Sequence, residues 1–397
     1  MHRYFWPDTP PYATLLREIA GRLHHAGHEV EVLSAQPSYK PAAAIERQAW
    51  RGCLDGFAVH RVRAMDNSRK LVKAAAGHAS FVLLAFAAVA RGKKPDVVMC
   101  STVPPILLAA ALSIGAKTRG SGFIYHCMDL HPDVSLTGDR LSLLQRLMRR
   151  VDTATCRRSD VIVVLSEDMK RTLIGRSEEL ADKIEVINNF DLRDLDQTQI
   201  SDPPPRDGRL RVVFTGNLGR FQDLLDITRS VVASRLAVEL VFMGDGAVAG
   251  QLRAMECEID GGPAVRVLSH GSTSSARALM RSADLGLVSL MPGVIRNAYP
   301  SKTITYWAEG LPVLAVVDGD SELASAVRDR GLGVQTSPGD PVELVDVLRR
   351  LCDDRSSIEG MRSRVREYAS SALGREMILD QWADVFAQVA ASNRRGA

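Results

Sequence analysis

Short apolar runs alternate with segments of helical period along almost the whole chain. Residues 96–101 (DVVMCS) and 160–165 (DVIVVL) are typical of buried strands, whereas 376–390 spaces its apolar residues three and four apart. Strands separated by helices form parallel sheets covered by helices on both faces, so we predict an α/β protein. The predicted strands are 29–34, 57–63, 96–101, 123–126, 160–165, 183–187, 210–215, 238–243, 265–268, 285–289, 313–317 and 333–335. The predicted helices are 14–26, 71–90, 105–117, 141–157, 167–174, 223–234, 246–259, 274–283, 301–309, 322–330, 341–352 and 376–390.

This alternation is interrupted once, near the middle of the chain. Three consecutive prolines, Pro203 to Pro205, stand there among polar residues, a composition typical of a linker. With 397 residues, the chain is too long for one ordinary core. We therefore predict two doubly wound domains, 1–194 and 210–373, joined by a linker at 195–209. The last segment, 374–397, is predicted to dock its apolar helix face across the domain junction.

The first strand of the first domain is almost missing. A loop, a helix and a strand follow the start of the chain in that order, and only residues 3–6 precede the loop. We expect either that 3–6 is the entire first strand or that the strand begins upstream of Met1.

Composition narrows the function classes. Lys and Arg number 50 against 47 Asp and Glu, so the chain lacks the basic stripe of a nucleic-acid-binding protein. The most apolar run, 81–90, is flanked by basic residues and is too short to span a bilayer. We interpret it as a buried helix, with a membrane-surface helix as the alternative. Six scattered cysteines without metal-binding spacing, and no signal peptide, favour free thiols and a cytoplasmic location.

The segment 297–317, NAYPSKTITYWAEGLPVLAVV, has the strongest local signals. Ser301 is suited to cap a helix and Gly310 to end it, and a β-branched apolar run follows. Free backbone N–H groups at such a helix start, beside Lys302 and Thr303, would bind an anion, most commonly a phosphate.

Ligands of doubly wound sheets bind at the carboxyl ends of strands. In the second domain, Gly216, Asn217, Gly219 and Arg220 follow a strand and precede a helix. Glycines there let backbone N–H groups approach a phosphate, and arginine supplies a fixed positive fork. A tight turn with a solvated arginine is the alternative. The sequence around Gly244 repeats the pattern more weakly and, taken alone, predicts a turn.

In the first domain, the sequence FIYHCMDLHPD at 123–133 runs from a strand into a loop. Its candidates for proton transfer or substrate orientation are His126, Asp129 and His131. The two histidines compete for the role of base. A structural His126 at the strand end is equally consistent with the sequence.

Several segments occur together in the order and spacing of a known family. They are WPDTPPYATLLREIAGRLHHAGHEVEVLS, DLHPD, VVLSEDM, VINNFD, FTGNLGR, MGDG and YPSKTITYWAEGLPVLA. In this combination the chain resembles the bacterial GT-B retaining glycosyltransferases of family 4, in the branch with a P-S-K segment before the donor-site helix. The resemblance covers nearly the whole chain. It implies two Rossmann-like domains facing a central cleft, with the nucleotide-sugar donor held mainly by the C-terminal domain and the acceptor mainly by the N-terminal one.

The resemblance also implies roles for individual residues. Those that match the family's diphosphate loop and donor-site helix start are Gly216, Asn217, Gly219, Arg220, Ser301, Lys302 and Thr303. Gly244 belongs to the MGDG segment and is assigned to the donor sugar or ribose. Asp129 matches the aspartate of the D-L-x-P element and would orient the acceptor or act near the reacting oxygen. Asp8, Thr9 and Tyr12 lie in the first loop, which faces the cleft in this family but lacks the usual glycines here.

One departure from the family concerns the donor sugar. The family usually has two glutamates eight residues apart, and this chain has Asn297 and Thr305 in their places. Asn297 can hydrogen-bond a sugar hydroxyl and Thr305 a ribose hydroxyl, both without a negative charge. Glu309, about one helical turn beyond Thr305, is the candidate replacement. The departure leaves the identity of the donor open.

The implied reaction is a retaining transfer of a hexose-like residue from a nucleoside-diphosphate sugar, with UDP or GDP as the expected nucleotide. Arginine, lysine and a helix dipole can stabilise the leaving diphosphate, so we expect no metal and no cofactor. There is no D-x-D segment in a convincing loop. The expected acceptor is an envelope polysaccharide or lipid-linked glycan intermediate, with peripheral contact at the inner membrane face. The alternatives are a small-molecule acceptor in secondary metabolism, a nucleotide-sugar 2-epimerase and a non-catalytic subunit.

Overall fold

The structure is a computed structural model that describes residues 1–8, 11–37, 47–64, 71–135, 142–192 and 202–395, without the side chains at 11, 71–75, 135 and 395. The predicted site residue Thr9 and the first part of the predicted linker lie outside the described residues. The chain divides into two compact units. One comprises Met1–Leu192 with Glu376–Ala397, and the other comprises Arg193–Arg375.

The first unit alternates strands with helices, as the α/β prediction requires. Its strands are β1 (Glu31–Ala35), β2 (Arg51–Leu54), β3 (Phe57–Val62), β4 (Val97–Ser101), β5 (Gly122–Cys127), β6 (Val161–Val164) and β7 (Ile184–Val186). Its helices are α1 (Pro11–His25), α2 (Leu71–Arg91), α3 (Leu107–Thr118), α4 (Leu143–Arg158), α5 (Glu167–Arg176) and, from the end of the chain, α13 (Arg375–Arg395).

The first three residues join two sheets of the first unit, β1-β3-β2 and β4-β5-β6-β7. The N–H of His2 donates to the Leu33 carbonyl at 3.2 Å, and the N–H of Ala35 donates to the Arg3 carbonyl at 3.0 Å. On the other side, the Met1 amino group donates to the Met99 carbonyl at 2.6 Å. These bonds place 1–3, rather than the predicted 3–6, between β1 and β4. Strand order reverses at this position, which makes it a topological switch point.

The prediction missed the hairpin formed by β2 and β3. The two strands pair antiparallel through a turn at Asp55 and Gly56, whose φ angles are 49° and 91°. An Asp-Gly pair between two short strands is the standard signal for this turn, and the sequence contains it. The apolar alternation in β2 is too weak to show the strand by itself.

The second unit contains β8 (Leu210–Thr215), β9 (Val238–Met243), β10 (Cys257–Glu258), β11 (Ala264–Leu268), β12 (Leu285–Ser289), β13 (Val313–Val316) and β14 (Gly333–Thr336). Its helices are α6 (Leu224–Ser234), α7 (Ala249–Arg253), α8 (Thr273–Arg281), α9 (Lys302–Ala308), α10 (Glu322–Arg330), α11 (Pro341–Asp353) and α12 (Ser356–Ala372). The strand order is β10-β11-β9-β8-β12-β13-β14, parallel except for β10. Two apolar clusters fill the two sides of this sheet. The order reverses between β8 and β12, where the fold forms its ligand crevice.

One helix prediction in the second unit was wrong, and one helix was missed. The helix predicted at 246–259 ends at Arg253, because Cys257 pairs with Val265 across an Asp-Gly-Gly turn. The prediction also missed α12, which packs against α9. Its apolar residues are few and widely spaced, so the helical period is weak in the sequence.

Helix α13 completes the core of the first unit. Its buried face carries Ile378, Leu379, Trp382, Val385 and Val389. These side chains pack with α1 and with β5 and β6. The apolar face predicted for the end of the chain is therefore present, and it is buried in the N-terminal unit's own core.

Candidate active site

The loops that follow β8 and β12 form one continuous rim at the switch point of the second unit. Ser289 Oγ donates to the Gln222 carbonyl at 2.6 Å, and the Met291 N–H donates to the Phe221 carbonyl at 2.8 Å. Because both strands are parallel and adjacent, their carboxyl ends meet here. The predicted diphosphate loop is thereby held beside the loop that contains Asn297.

Helix α9 is anchored onto the end of β8. The Thr215 N–H donates to the Tyr306 hydroxyl at 3.1 Å, and the Lys302 ammonium lies 3.2 Å from the centre of the Phe214 ring. A Cβ at Gly286 would come within 2.4 Å of the Tyr306 ring, so a glycine is needed for this approach. The structure thus brings together two elements whose contacting residues Thr215 and Tyr306 are 91 positions apart in the sequence.

Lys302 is a desolvated cation at this rim. Burial lowers the pKa of its ammonium group to about 7, and the Phe214 ring face supplies only a weak cation–π attraction. It is also the only lysine C-terminal to Lys183, in a region where arginine supplies every other side-chain cation. Lysine is a compact point charge whose pKa shifts readily, and arginine is not. This single lysine among arginines is visible in the sequence, and the sequence prediction did not draw on it.

The two glycines of the predicted diphosphate loop use their own N–H groups within the protein. The Gly216 N–H donates to the Met243 carbonyl at 2.9 Å, and the Gly219 N–H donates to Gln222 Oε1 at 2.7 Å. Gly216 is nevertheless required, because its φ is 112°. Arg220, in contrast, is exposed at the rim and can reach an anion with its guanidinium.

Gly244 has a backbone role in the same loop. A Cβ on Gly244 would lie 1.9 Å from the Gly216 carbonyl oxygen, and one on Gly246 would lie 2.4 Å from the Leu218 carbonyl oxygen. The two glycines let the loops after β8 and β9 pack backbone against backbone. The assignment of Gly244 to sugar or ribose binding is a prediction that this packing neither requires nor tests.

The start of α9 differs from the prediction. Ser301 has helical dihedrals, φ −55° and ψ −23°, and its side chain makes no capping bond. The Thr303 N–H donates to the Pro300 carbonyl at 3.0 Å, and the Thr303 side chain is fully buried. With seven residues and one of its first N–H groups already bonded, α9 offers a weaker anion site than expected. At this helix start, the Lys302 ammonium is therefore the main group that could attract an anion.

The three candidates for donor sugar and ribose have different surroundings. Asn297 donates to the Gly293 carbonyl at 3.4 Å, and its buried Oδ1 has no hydrogen-bond partner among the described residues. Thr305 is partly exposed. Glu309 lies at the far end of α9 in ion pairs with Arg277 and Arg281 of α8. These pairs satisfy the Glu309 carboxylate, so it is not poised to replace a missing glutamate.

His126 is fully buried in the first unit, at the end of β5. Its Nδ1 lies 2.9 Å from the Tyr12 hydroxyl, and its ring packs against Trp382 with 4.7 Å between ring centres. Burial lowers the pKa of His126 to about 3, so the imidazole is neutral. A group with no exposed surface cannot contact a substrate proton. The geometry therefore supports the structural alternative for His126.

Asp129 and His131 are both partly exposed in the loop after β5. Burial raises the pKa of the Asp129 carboxyl to about 6, close to the value that suits proton transfer near neutral pH. Burial, reinforced by the positive charge of Arg176, lowers the pKa of His131, so this imidazole is neutral and can accept a proton. Of the two histidines, His131 is the accessible one.

Sequence reasoning missed the ion network that braces this loop. Arg176 is buried and pairs with Asp133 at 2.6 Å and with Asp152 at 2.7 Å. The Tyr125 hydroxyl donates to Asp152 at 2.9 Å. Nothing in the local sequence marks these residues, because they come together from three elements. In the first loop, Asp8 is buried. Tyr12, which was predicted in that loop, lies instead in the first turn of α1 and is half-buried next to His126.

Comparisons with known proteins show what the chain is similar to. Residues 13–190 match the family model of Glycosyltransferase Family 4, and residues 209–354 match that of Glycosyl transferases group 1. The Pseudomonas aeruginosa protein "Probable glycosyltransferase WbjE" is 24% identical over 281 residues, covering 68% of this chain and 70% of that protein.

Solved structures share the fold over nearly the full length. Sucrose-phosphate synthase of Thermosynechococcus elongatus matches with a TM-score of 0.68 and 16% identity, covering 96% of this chain and 94% of that one. Anabaena Alr3699/HepE in complex with UDP-glucose matches with a TM-score of 0.66 and 14% identity, covering 97% and 98%. At these identities the likeness concerns the fold.

Proposed function

The chain is a glycosyltransferase of the GT-B fold, and on that premise we propose that it transfers a sugar from a nucleoside-diphosphate sugar to a glycan acceptor with retention of configuration. The proposed acceptor is an envelope polysaccharide or lipid-linked intermediate. The proposed nucleotide is UDP, because the HepE structures contain UDP or UDP-glucose. GDP is the second choice.

The position of Lys302 is the observation that carries this proposal. Its ammonium has lost part of its hydration, and among the described residues the Phe214 ring is the one group that compensates for this loss. A diphosphate placed at the rim would supply the missing negative charge. Lys302 and Arg220 would then stabilise the charge that develops on the leaving diphosphate as the glycosidic bond breaks. We therefore propose that the reaction needs no metal.

Asp129 and His131 are the proposed groups on the acceptor side. The Asp129 carboxylate would accept a hydrogen bond from the attacking hydroxyl, and the neutral His131 would take up its proton. Asn297 and Thr305 replace the two glutamates that the family usually has, and neither carries a carboxylate that could attack the sugar. Attack and departure on the same face of the sugar is therefore the proposed route to retention.

The test is calorimetric titration of the full chain with UDP, GDP, ADP and dTDP. We expect UDP to bind the wild type and to bind Lys302→Met ~100-fold more weakly, because a charge-assisted contact is lost. Arg220→Ala should weaken binding ~10-fold. Arg253→Ala, an exposed arginine on α7, is the matched control and should bind UDP like the wild type.

Turnover separates this proposal from its rivals. The purified protein with UDP-glucose and an acceptor should form an α-linked product that NMR identifies by its anomeric proton, with or without a chelator. Binding of nucleotide without any turnover would support a non-catalytic subunit. Conversion of the donor to its 2-epimer in the absence of acceptor would support an epimerase.

A further inference from the structure

Exposed large apolar side chains are concentrated on one layer of the first unit. Of the twelve described in the whole chain, seven lie on α2, α3 and α4, namely Leu83, Leu84, Leu107, Ile114, Leu143, Leu144 and Leu147. Helix α3 packs against both α2 and α4, so the three helices form a contiguous layer. An apolar concentration of this kind on a folded surface marks an interaction site. We call the outer surface of these three helices the leucine face.

The helices of this layer carry many more basic than acidic residues. The three helices contain eight Lys or Arg residues and a single acidic residue, Asp152, whereas the whole chain contains 50 and 47. Asp152 is buried and bonded to Arg176 and Tyr125, so it contributes no negative charge to the surface. The leucine face is therefore both apolar and basic.

Helix α4 shows the pattern most clearly. A capping box between Ser142 and Gln145 fixes its start. Leu143 and Leu147, one turn apart, are 83% and 58% exposed. Arg146 and Arg150 are exposed on the same outward side, while Thr155 and Cys156 are buried on the opposite side. A helix of this kind lies in a membrane interface with its leucines in the acyl boundary and its arginines at the phosphates.

We propose that the leucine face docks on the surface of an anionic lipid bilayer. The charge decides between this partner and a second copy of the chain, because two copies of a basic face would repel each other. Anionic lipid headgroups attract the same arginines, and the leucines then gain an apolar environment. No helix within the described residues is long and apolar enough to cross a membrane, so the docking is peripheral.

The leucine face belongs to the same unit as the candidate acceptor residues. Asp133, in the same loop as Asp129 and His131, lies 3.7 Å from Arg149 of α4. Arg149 lies on the side of α4 that also carries Cys156, so this loop packs against the inner side of a docking helix. Docking would thus bring a lipid-linked acceptor to the unit that carries the acceptor residues. This consequence rests on the proposed function, whereas the docking itself does not.

The test is flotation of the full chain with vesicles, without donor or acceptor. We expect the wild type to float at low salt with vesicles of phosphatidylglycerol and phosphatidylethanolamine, and to stay at the bottom with phosphatidylcholine alone. Leu143→Ser combined with Leu147→Ser should lower the partition coefficient ~10-fold or more. Arg146→Gln combined with Arg150→Gln should lower it to a similar extent and remove most of its salt dependence.

Matched controls come from α11 in the second unit. Val342→Ser and Arg349→Gln replace a 69% exposed valine and an exposed arginine, and both variants should float like the wild type. Unchanged thermal unfolding should show that every variant is folded. The proposal is wrong if the wild type does not float with anionic vesicles at low salt. It is also wrong if the leucine variant floats like the wild type, or if it merely breaks a dimer that light scattering detects. Loss of vesicle binding with donor turnover intact would leave the proposed function standing.

Discussion

The two units have switch points of the same strand order but of opposite chemical character. In the second unit, the rim offers cations, Lys302 and Arg220, beside loops packed backbone to backbone. In the first unit, the corresponding edge holds the buried His126 and Trp382, and the partly exposed loop after β5 presents Asp129 and His131. A diphosphate needs positive charge, whereas a neutral hydroxyl needs a hydrogen-bond acceptor. One topology therefore serves two tasks through the side chains at its strand ends.

The comparison extends to the electrostatics of the two edges. Burial lowers the pKa of Lys302 to about 7 and raises the pKa of Asp129 to about 6. Both shifts mean that folding disfavours the charged form of a group that is presented at an edge. Groups held in this way are typical of functional sites, where stability is given up for reactivity.

The largest expected effect is that of Asp129→Asn. If Asp129 acts on the acceptor hydroxyl, kcat should fall on the order of 1000-fold while UDP affinity stays unchanged. The free energy of unfolding at pH 7.5 should rise by ~1 to 2 kcal/mol, because a partly buried carboxylate with a raised pKa is removed. The raised pKa means that the native state binds more protons than the unfolded state between about pH 4 and 6. The stability gain should therefore disappear near pH 4.

Activity and stability are measured on the same preparations, with Asp182→Asn as an exposed control that should change neither. Wild-type activity should also fall as the pH drops below about 6, where Asp129 is protonated. A variant that loses stability together with activity would show that Asp129 is structural, and the contrast between the two edges would break down.

A smaller effect is expected from pH on donor binding. The bound diphosphate favours the Lys302 ammonium, so UDP should bind with uptake of a proton near pH 7.5. Affinity should fall about tenfold per pH unit above 7, up to the pKa of the bound form. Titrations in two buffers of different ionisation enthalpy measure this uptake directly. Lys302→Met should abolish the uptake, and Lys94→Met, an exposed lysine, should leave it intact. UDP affinity that is flat between pH 6.5 and 9 in the wild type would contradict the role given to Lys302.

The smallest expected effect is that of Tyr12→Phe. It removes the hydroxyl at 2.9 Å from His126 Nδ1 and leaves a buried ring nitrogen without this partner. The free energy of unfolding should fall by ~1 to 2 kcal/mol, and UDP binding should not change. Tyr368→Phe on α12 is the control and should have little effect on stability, since its ring contacts with Trp307 and Arg330 remain. Denaturant unfolding measures both variants. An equal decrease in their free energies of unfolding would show that the Tyr12–His126 contact makes no particular contribution to stability.

Much of the fold could be predicted from the sequence, because the spacing of apolar residues and the turn residues are local signals of secondary structure. The strands at 210–215, 238–243 and 285–289 were predicted with their observed bounds. The two missed hairpins had local signals in their Asp-Gly turns, but their strands are short and half-exposed. The candidate donor residues could be named from the sequence, and their roles stay predictions. The prediction that Ser301 caps α9 was wrong, and the N–H groups of Gly216 and Gly219 are bonded within the protein.

The sequence by itself determined the α/β class, the order of the elements and the residue types available at each strand end, since these follow from local period and composition. Only the tertiary structure decided that Lys302 lies on Phe214, that His126 is sealed beneath Trp382, and that Arg176 holds Asp133 and Asp152. Each of these contacts joins segments far apart in the chain. The burial and the pKa shifts of these residues depend on which groups the packed sheets bring together, and a local sequence pattern does not contain that information.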